Sequence, residues 1–119
     1  MDRQEIFDKV ANHLLTQNKK SMLTSSGCCL YRGPNGTKCA IGALIPDNLY
    51  KEKWDECPID ICGVLNDSRK LKKYLKIEDA SDANFLQSLQ SIHDEYEPIS
   101  WESLLKEFAI DYRLEFNHG

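Results

Sequence analysis

The sequence contains no long apolar run and little glycine or proline. No window of its 119 residues approaches the roughly 18 continuous apolar residues of a membrane-spanning helix. Glycine and proline, at 6 and 4 residues, are too few for an extended disordered chain. Segment 1–10 is charged and lacks the apolar core of a secretory signal. We therefore expect a single domain over residues 1–119, in an aqueous, reducing compartment such as the cytoplasm.

The cysteine spacing of a structural metal site is also missing. The five cysteines are Cys28, Cys29, Cys39, Cys57 and Cys62. Structural zinc usually takes cysteine pairs separated by two to four residues, whereas here the first two are adjacent and the last two are five positions apart. An odd number of cysteines without an export signal does not indicate a disulfide framework. We expect no metal and no cofactor, and thiols that serve as small buried apolar groups.

A phosphate-binding loop is absent as well. The apolar segment 40–45 contains Gly42, but no Lys-Ser or Lys-Thr pair follows it at a helix start. This segment instead predicts a short buried helix that Pro46 ends. Gly42 would then let another backbone segment approach closely.

Catalysis by a cysteine nucleophile needs a base within hydrogen-bond distance and a third group that orients the base. Cys39 with His93 and Asp94 is the combination that the sequence offers. Neighbouring helix residues point about 100° apart, so His93 and Asp94 are not expected to form the base–orienter pair. His93 is favoured as a hydrogen-bonded core residue, and His13 and His118 are the alternative bases. We predict no catalytic residues, with a cysteine-dependent hydrolase as the alternative.

Charge is mild overall and uneven along the chain. The net charge of −4 argues against binding nucleic acid over the whole surface. Segment 77–115 carries ten carboxylates against two cations, and it follows a basic segment with five: Arg69, Lys70, Lys72, Lys73 and Lys76. Either both are solvated helix faces, or they steer a charged protein partner.

A nucleic-acid-binding module is a further alternative. It would use the basic segment 69–76, with Tyr74 and Tyr31 as stacking platforms. The acidic C-terminal third argues against this interpretation.

The N-terminal third predicts one helix and one hairpin. Asp2-x-x-Glu5 is a capping box in front of an apolar stripe, which predicts a helix from Arg3 to Gln17. Asn35-Gly36, between the segments 28–32 and 37–40, predicts a β-hairpin near residues 28–40.

Helical patterns dominate the remainder. Pro58 is expected to open a brief helix through Leu65, and Ser68 to cap the basic helix. Two longer amphipathic helices follow, the first capped by Ser81 or Asp82 and the second by Ser100, with a break at Glu97-Pro98 between them. The short linker predicts an antiparallel helical hairpin. The fold class is therefore mainly α, a compact bundle of about five helices with a small β-hairpin near residues 28–40.

One string resembles the core motif of a family of small phage and bacterial proteins of unassigned function. It reads Tyr31-Arg32-x-Pro34-Asn35-Gly36-Thr37-Lys38-Cys39-Ala40-Ile41-Gly42-Ala43-Leu44-Ile45. The segments 5–10 and 85–94 and the Trp101-Glu102 pair resemble members too, so the likeness covers most of the chain. It implies one compact fold and brings no known active residue.

Within that type, the chain is similar to a small regulator of an intracellular bacterial pathogen. That regulator inhibits two ubiquitin-deamidating effectors of the deamidase/transglutaminase kind, whose catalytic cores are papain-like. The resemblance implies a noncatalytic helical inhibitor, a homodimer when alone, that is translocated into a host-cell cytosol and blocks the enzyme or its access to ubiquitin. We accordingly predict a protein-binding regulator. The resemblance transfers no contact residue, and Tyr31, Arg32, Lys72 and Lys73 are predicted as surface anchors from the residues themselves.

Overall fold

The computed structural model describes residues 1–22, 29–56 and 59–117, and within these ranges the chain is mainly helical. Six α-helices are accompanied by 3-10 turns at Pro34–Gly36 and Gly42–Leu44: α1 Arg3–Gln17, α2 Lys53–Glu56, α3 Ile61–Asp67, α4 Arg69–Tyr74, α5 Ala80–Glu95 and α6 Pro98–Asp111. The mainly α fold class is confirmed, with one short helix more than the expected five. Among the described residues, no helix is long and apolar enough to cross a membrane.

Helix α1 begins and ends where its sequence predicts. Asp2 Oδ1 accepts the Glu5 N–H at 2.8 Å, and the Glu5 carboxylate accepts the Asp2 N–H at 3.1 Å, which completes the capping box. Asn18, in the left-handed region at φ 50°, ends the helix. The predicted stripe is buried: Ile6, Phe7, Val10, Ala11 and Leu14.

Helices α5 and α6 lie against each other, and α1 packs on both. Phe108 of α6 contacts Phe85 of α5 and Phe7 of α1, with ring centroids 5.3 and 5.8 Å apart. These aromatic contacts join the three long helices into one apolar core.

Both C-terminal helices start earlier than predicted. Asp79 caps α5, because its Oδ1 accepts the Asp82 N–H at 3.1 Å; the predicted caps Ser81 and Asp82 lie inside the helix. Helix α6 starts at Pro98, whose fixed φ suits a first helical position. The predicted cap Ser100 therefore lies inside its helix as well.

Ser68 joins α3 to α4. Its N–H donates to Val64 O at 3.1 Å and closes α3, while its hydroxyl accepts the Leu71 N–H at 3.2 Å and opens α4. The predicted Ser68 cap is confirmed. Leu71 and Leu75 are buried, whereas Tyr74 is 40% exposed.

The β-hairpin predicted near residues 28–40 is wrong. Over the described residues 29–40 there is no strand, only isolated antiparallel bridges between Met22 and Cys29 and between Arg32 and Lys38. The Asn35-Gly36 pair lies in a 3-10 turn. Cys28 lies outside the described residues.

Side chains of α1 and α2 accept hydrogen bonds from backbone N–H groups that would have been paired between the strands of a hairpin. The Asp55 carboxylate accepts the N–H groups of Tyr31 and Arg32 at 2.8 and 3.1 Å. Gln17 Oε1 accepts the Lys38 N–H at 2.9 Å. A charged or amide acceptor satisfies these N–H groups as well as a partner strand would, so the segment stays irregular.

Gly42 allows the close backbone approach that the sequence predicts. A Cβ atom at this position would overlap the carbonyl oxygen of Tyr31. The 3-10 turn at Gly42–Leu44 can therefore lie directly against residue 31 only while position 42 has no side chain.

We expect Gly42→Ala to lower the free energy of unfolding by about 3 kcal/mol, since the backbone must move to relieve the overlap. Gly63→Ala is the matched control. Its Cβ would lie 3.3 Å from the flexible Ile59 side chain, inside a helix where alanine is favoured. Urea denaturation of both variants measures the difference. Equal stability of the two would contradict the close approach.

The Asp67 carboxylate fastens the end of α3 to α2. It accepts the Trp54 indole N–H at 2.9 Å, and the amines of Lys51 and Lys53 lie 3.2 and 3.1 Å away. The hydrogen bond from Trp54, followed by those from Lys53 and Lys51, lowers the pKa of Asp67 to about 2.

A pKa lowered by folding means that ionised Asp67 stabilises the folded state above its unfolded pKa of about 3.9. That contribution is lost as the pH falls toward about 2. We expect the stability difference between the wild type and Asp67→Asn, measured by urea denaturation, to be largest at neutral pH and to shrink toward zero in acid. A difference that does not depend on pH would contradict this role.

Candidate functional site on helix α5

Helix α5 carries a buried histidine whose two ring nitrogens are both engaged. His93 is fully buried; its Nε2 accepts the Ser21 N–H at 2.9 Å, and its Nδ1 lies 2.8 Å from Asp94 Oδ1. Because Nε2 acts as the acceptor, Nδ1 carries the proton and donates to Asp94. The His93 ring also stacks on Trp101 of α6, with centroids 5.5 Å apart. The interpretation of His93 as a hydrogen-bonded core residue is confirmed.

Gln90 extends this network by one helical turn. Its Oε1 accepts the Ile41 N–H at 2.9 Å, and its Nε2 donates to Asp94 Oδ1 at 2.8 Å. Through His93 and Gln90, α5 therefore holds two irregular segments, one at Ser21 and one at Ile41.

The sequence-based exclusion of a His93–Asp94 pair is wrong. Nδ1 is the ring nitrogen closer to the main chain, and the short Asp94 side chain reaches it from the next position of the helix. The thiol beside this pair is that of Cys29, not the predicted Cys39. The sulfur of Cys29, one ring nitrogen of His93 and one carboxylate oxygen of Asp94 lie within 4.8 Å of one another.

The alternative base His13 does not join this cluster. His13 Nε2 lies 2.9 Å from the Lys38 carbonyl oxygen, which holds the ring against the irregular segment after the 3-10 turn. His118 lies outside the described residues.

A cavity of about 300 Å³ borders the cluster between α2, α3 and α5. Cys29 and Asp94 line one side of it, and Cys39, Asp55 and Asp60 line the others. Burial raises the pKa of the Cys39 thiol to about 12, so this sulfur stays protonated at neutral pH.

Cysteine catalysis would require His93 to accept a proton from a thiol, which its surroundings prevent. The ring nitrogen that would accept a thiol proton, Nε2, is occupied by the Ser21 N–H. Nδ1 could bind a metal ion only after losing its proton. In the neutral ring that proton would then be on Nε2, where it would face the Ser21 N–H, so metal binding meets the same obstacle. The geometry therefore favours a structural role for Cys29, His93 and Asp94.

The four predicted surface anchors do not lie together. Tyr31, 9% exposed, donates its hydroxyl to Ile59 O at 2.6 Å and is part of the core, which corrects its assignment to the surface. Arg32 pairs with Asp47 at 2.7 Å and lies over a tyrosine ring, so its charge is already used. Lys72 and Lys73 are exposed on α4.

Among the described residues, the most exposed large apolar side chains lie on α6, and the sequence reasoning missed them. Ile99 is 92% exposed and Ile110 is 76% exposed. Eleven residues of helix turn through about 20° net, so both point in nearly the same direction, about 16.5 Å apart along the axis. Their spacing could have revealed this face, because it places both isoleucines on the side of the helix opposite the buried stripe that contains Trp101 and Phe108.

Between them lie three polar residues that complete what we call the α6 outer face: Ile99, Glu102, Ser103, Lys106 and Ile110. The Lys106 amine and the Glu102 carboxylate are 3.8 Å apart across one turn. Next to this face, a cavity of about 290 Å³ between α5 and α6 is lined by acidic residues that include Glu95, Glu107 and Asp111.

We expect the described thiols to differ strongly in reactivity. Cys62 is exposed and should react with iodoacetamide at the rate of an ordinary thiol, whereas Cys39, 1% exposed with a raised pKa, should react only on unfolding. Mass spectrometry of peptides after timed alkylation measures both rates. A Cys29 that reacts orders of magnitude faster than Cys62 at neutral pH would reveal a thiolate and contradict the structural role of the cluster.

No family model, curated protein or solved structure matches the chain. The resemblance to small phage and bacterial proteins stays a prediction from the residues.

Proposed function

We propose that the protein is a noncatalytic regulator that docks on another protein through the α6 outer face. The observation that carries this proposal is the pair of exposed isoleucines on one line of α6. Burying an isoleucine contributes about 2 kcal/mol, so two of them in water represent free energy that a partner can recover.

The pattern fits the recognition of a helix in a groove. In this mode an exposed helix inserts apolar side chains from successive turns into pockets of the partner. The partner would offer two apolar pockets about 16.5 Å apart, at the spacing of Ile99 and Ile110.

Charge narrows the chemistry of that partner. Within residues 97–111 the exposed carboxylates include Glu102, Glu107 and Asp111, against the single cation Lys106. Glu97 is also exposed, but it lies 3.7 Å from the Lys20 amine. A partner with a positively charged rim around its apolar pockets would therefore be steered toward this face and oriented on it.

The arrangement of α5 supports a noncatalytic role. The Cys29, His93 and Asp94 cluster has the residue types of a thiol enzyme, but the His93 acceptor nitrogen holds Ser21 in place. Because these buried polar side chains bind the protein's own backbone, we expect the protein to act through its surface.

The resemblance in the sequence supplies a partner class. We propose that the partner is a ubiquitin-deamidating enzyme with a papain-like core, which the bound protein blocks or screens from ubiquitin. Such inhibition needs only a stable interface, which typically buries about 800 Å² per partner.

We expect the wild-type protein to slow ubiquitin deamidation by such an enzyme, followed by the charge change of ubiquitin on native gels. The double variant Ile99→Asp/Ile110→Asp should inhibit roughly 100-fold less well, since it forfeits about 3 kcal/mol of burial. Both positions are exposed, so its circular dichroism and stability should match those of the wild type.

Tyr74→Asp is the matched control, because it places a carboxylate on an exposed aromatic residue of α4, away from α6. It should inhibit like the wild type. Equal inhibition by the double variant would show that the α6 outer face is not the docking surface. A wild-type protein that leaves the enzyme's rate unchanged at micromolar concentration would refute the proposed partner class.

A further inference from the structure

A second surface of the protein has the opposite charge. Helix α4 and the residue two positions after it present five exposed cations, which we call the basic α4 surface: Arg69, Lys70, Lys72, Lys73 and Lys76. Leu71 and Leu75 are buried beneath them and Ser68 caps the helix, so the cations are carried by a fixed element.

These charges are not used inside the molecule. The ion pairs formed by the described residues all involve other cations. Lys51 and Lys53 nearby show the contrast, since Asp67 pairs with both. Five unpaired cations within eight residues form a local positive field despite the net charge of −4.

An exposed aromatic ring lies among the cations. Tyr74 is 40% exposed, one turn after Lys70 and next to Lys73. An aromatic side chain on a basic surface can stack an unpaired base while the amines contact the flanking phosphates. Tyr31, the other candidate for stacking, is buried in the core and does not contribute.

A cavity of about 350 Å³ lies at the N-terminal end of the same helix. Its lining includes Arg69, Lys70 and Lys51, together with Asn48 and Asp67. The Asp67 carboxylate is engaged by Trp54, Lys51 and Lys53. Arg69 and Lys70 are the cations of this lining that form no ion pair with a described residue, so they can contact an anionic group such as a phosphate.

From these observations we propose that the basic α4 surface binds single-stranded nucleic acid. A single strand is required because the base that stacks on Tyr74 must be free of its neighbours. An acidic peptide would match the charges but would leave the exposed ring without a role. The proposal concerns this local surface and is independent of docking through α6.

The test uses the full chain and a fluorescently labelled single-stranded RNA of about 12 nucleotides, with binding followed by anisotropy. If about four phosphates are neutralised, the salt slope should be about −3, so affinity should fall roughly 50-fold between about 50 and 200 mM salt. Lys70→Glu/Lys73→Glu should abolish binding at the higher salt. Tyr74→Ser should weaken binding roughly 10-fold through lost stacking.

Lys9→Glu/Lys19→Glu is the matched control, since it changes the net charge equally at exposed positions, one in α1 and one two residues after its end. It should stay within about threefold of the wild type, because salt screens distant charges. Absence of RNA binding at about 50 mM salt would overturn the proposal. So would equal competition by a polyglutamate peptide together with no effect of Tyr74→Ser, which would identify an acidic protein as the partner.

Discussion

The structure depends on one constraint, that buried backbone N–H groups of the irregular segment between α1 and α2 must find acceptors. Strands do not supply them in the part of this segment that the structure describes. Helix side chains do: Asp55 accepts from residues 31 and 32, Gln90 from Ile41 and His93 from Ser21. The irregular segment is thus part of the core, bound to α2 and α5 by a few polar side chains.

The same constraint decides the chemistry of the α5 cluster. A thiol, an imidazole and a carboxylate lie within one small region, which by composition alone would suggest an enzyme. What matters is the direction of each hydrogen bond, because an imidazole that accepts from a backbone N–H has no lone pair left for a thiol. We propose that other molecules bind instead at the exterior, to the apolar and acidic face of α6 and the basic face of α4.

Three local signals in the sequence predicted local structure correctly, whereas the cap signals at Ser81 or Asp82 and at Ser100 did not. The capping box at Asp2, the Ser68 cap and the small residue at Gly42 each depend on atoms a few positions apart or on steric size. The Asn35-Gly36 signal failed because the deciding partner, Asp55, acts on a segment more than twenty residues earlier in the chain. The neighbour of His93 was missed for the same reason, since tertiary packing and not sequence spacing brings Cys29 to α5.

Ser68 ends α3 and caps α4, so it is the only residue between the two helices. Any shift of α4 is passed to the last residue of α3, Asp67, and from its carboxylate to the Trp54 indole 2.9 Å away. The second tryptophan, Trp101, is stacked on His93 in a different part of the core. The fluorescence of Trp54 should therefore respond to binding at the basic α4 surface, whereas the fluorescence of Trp101 should stay nearly constant.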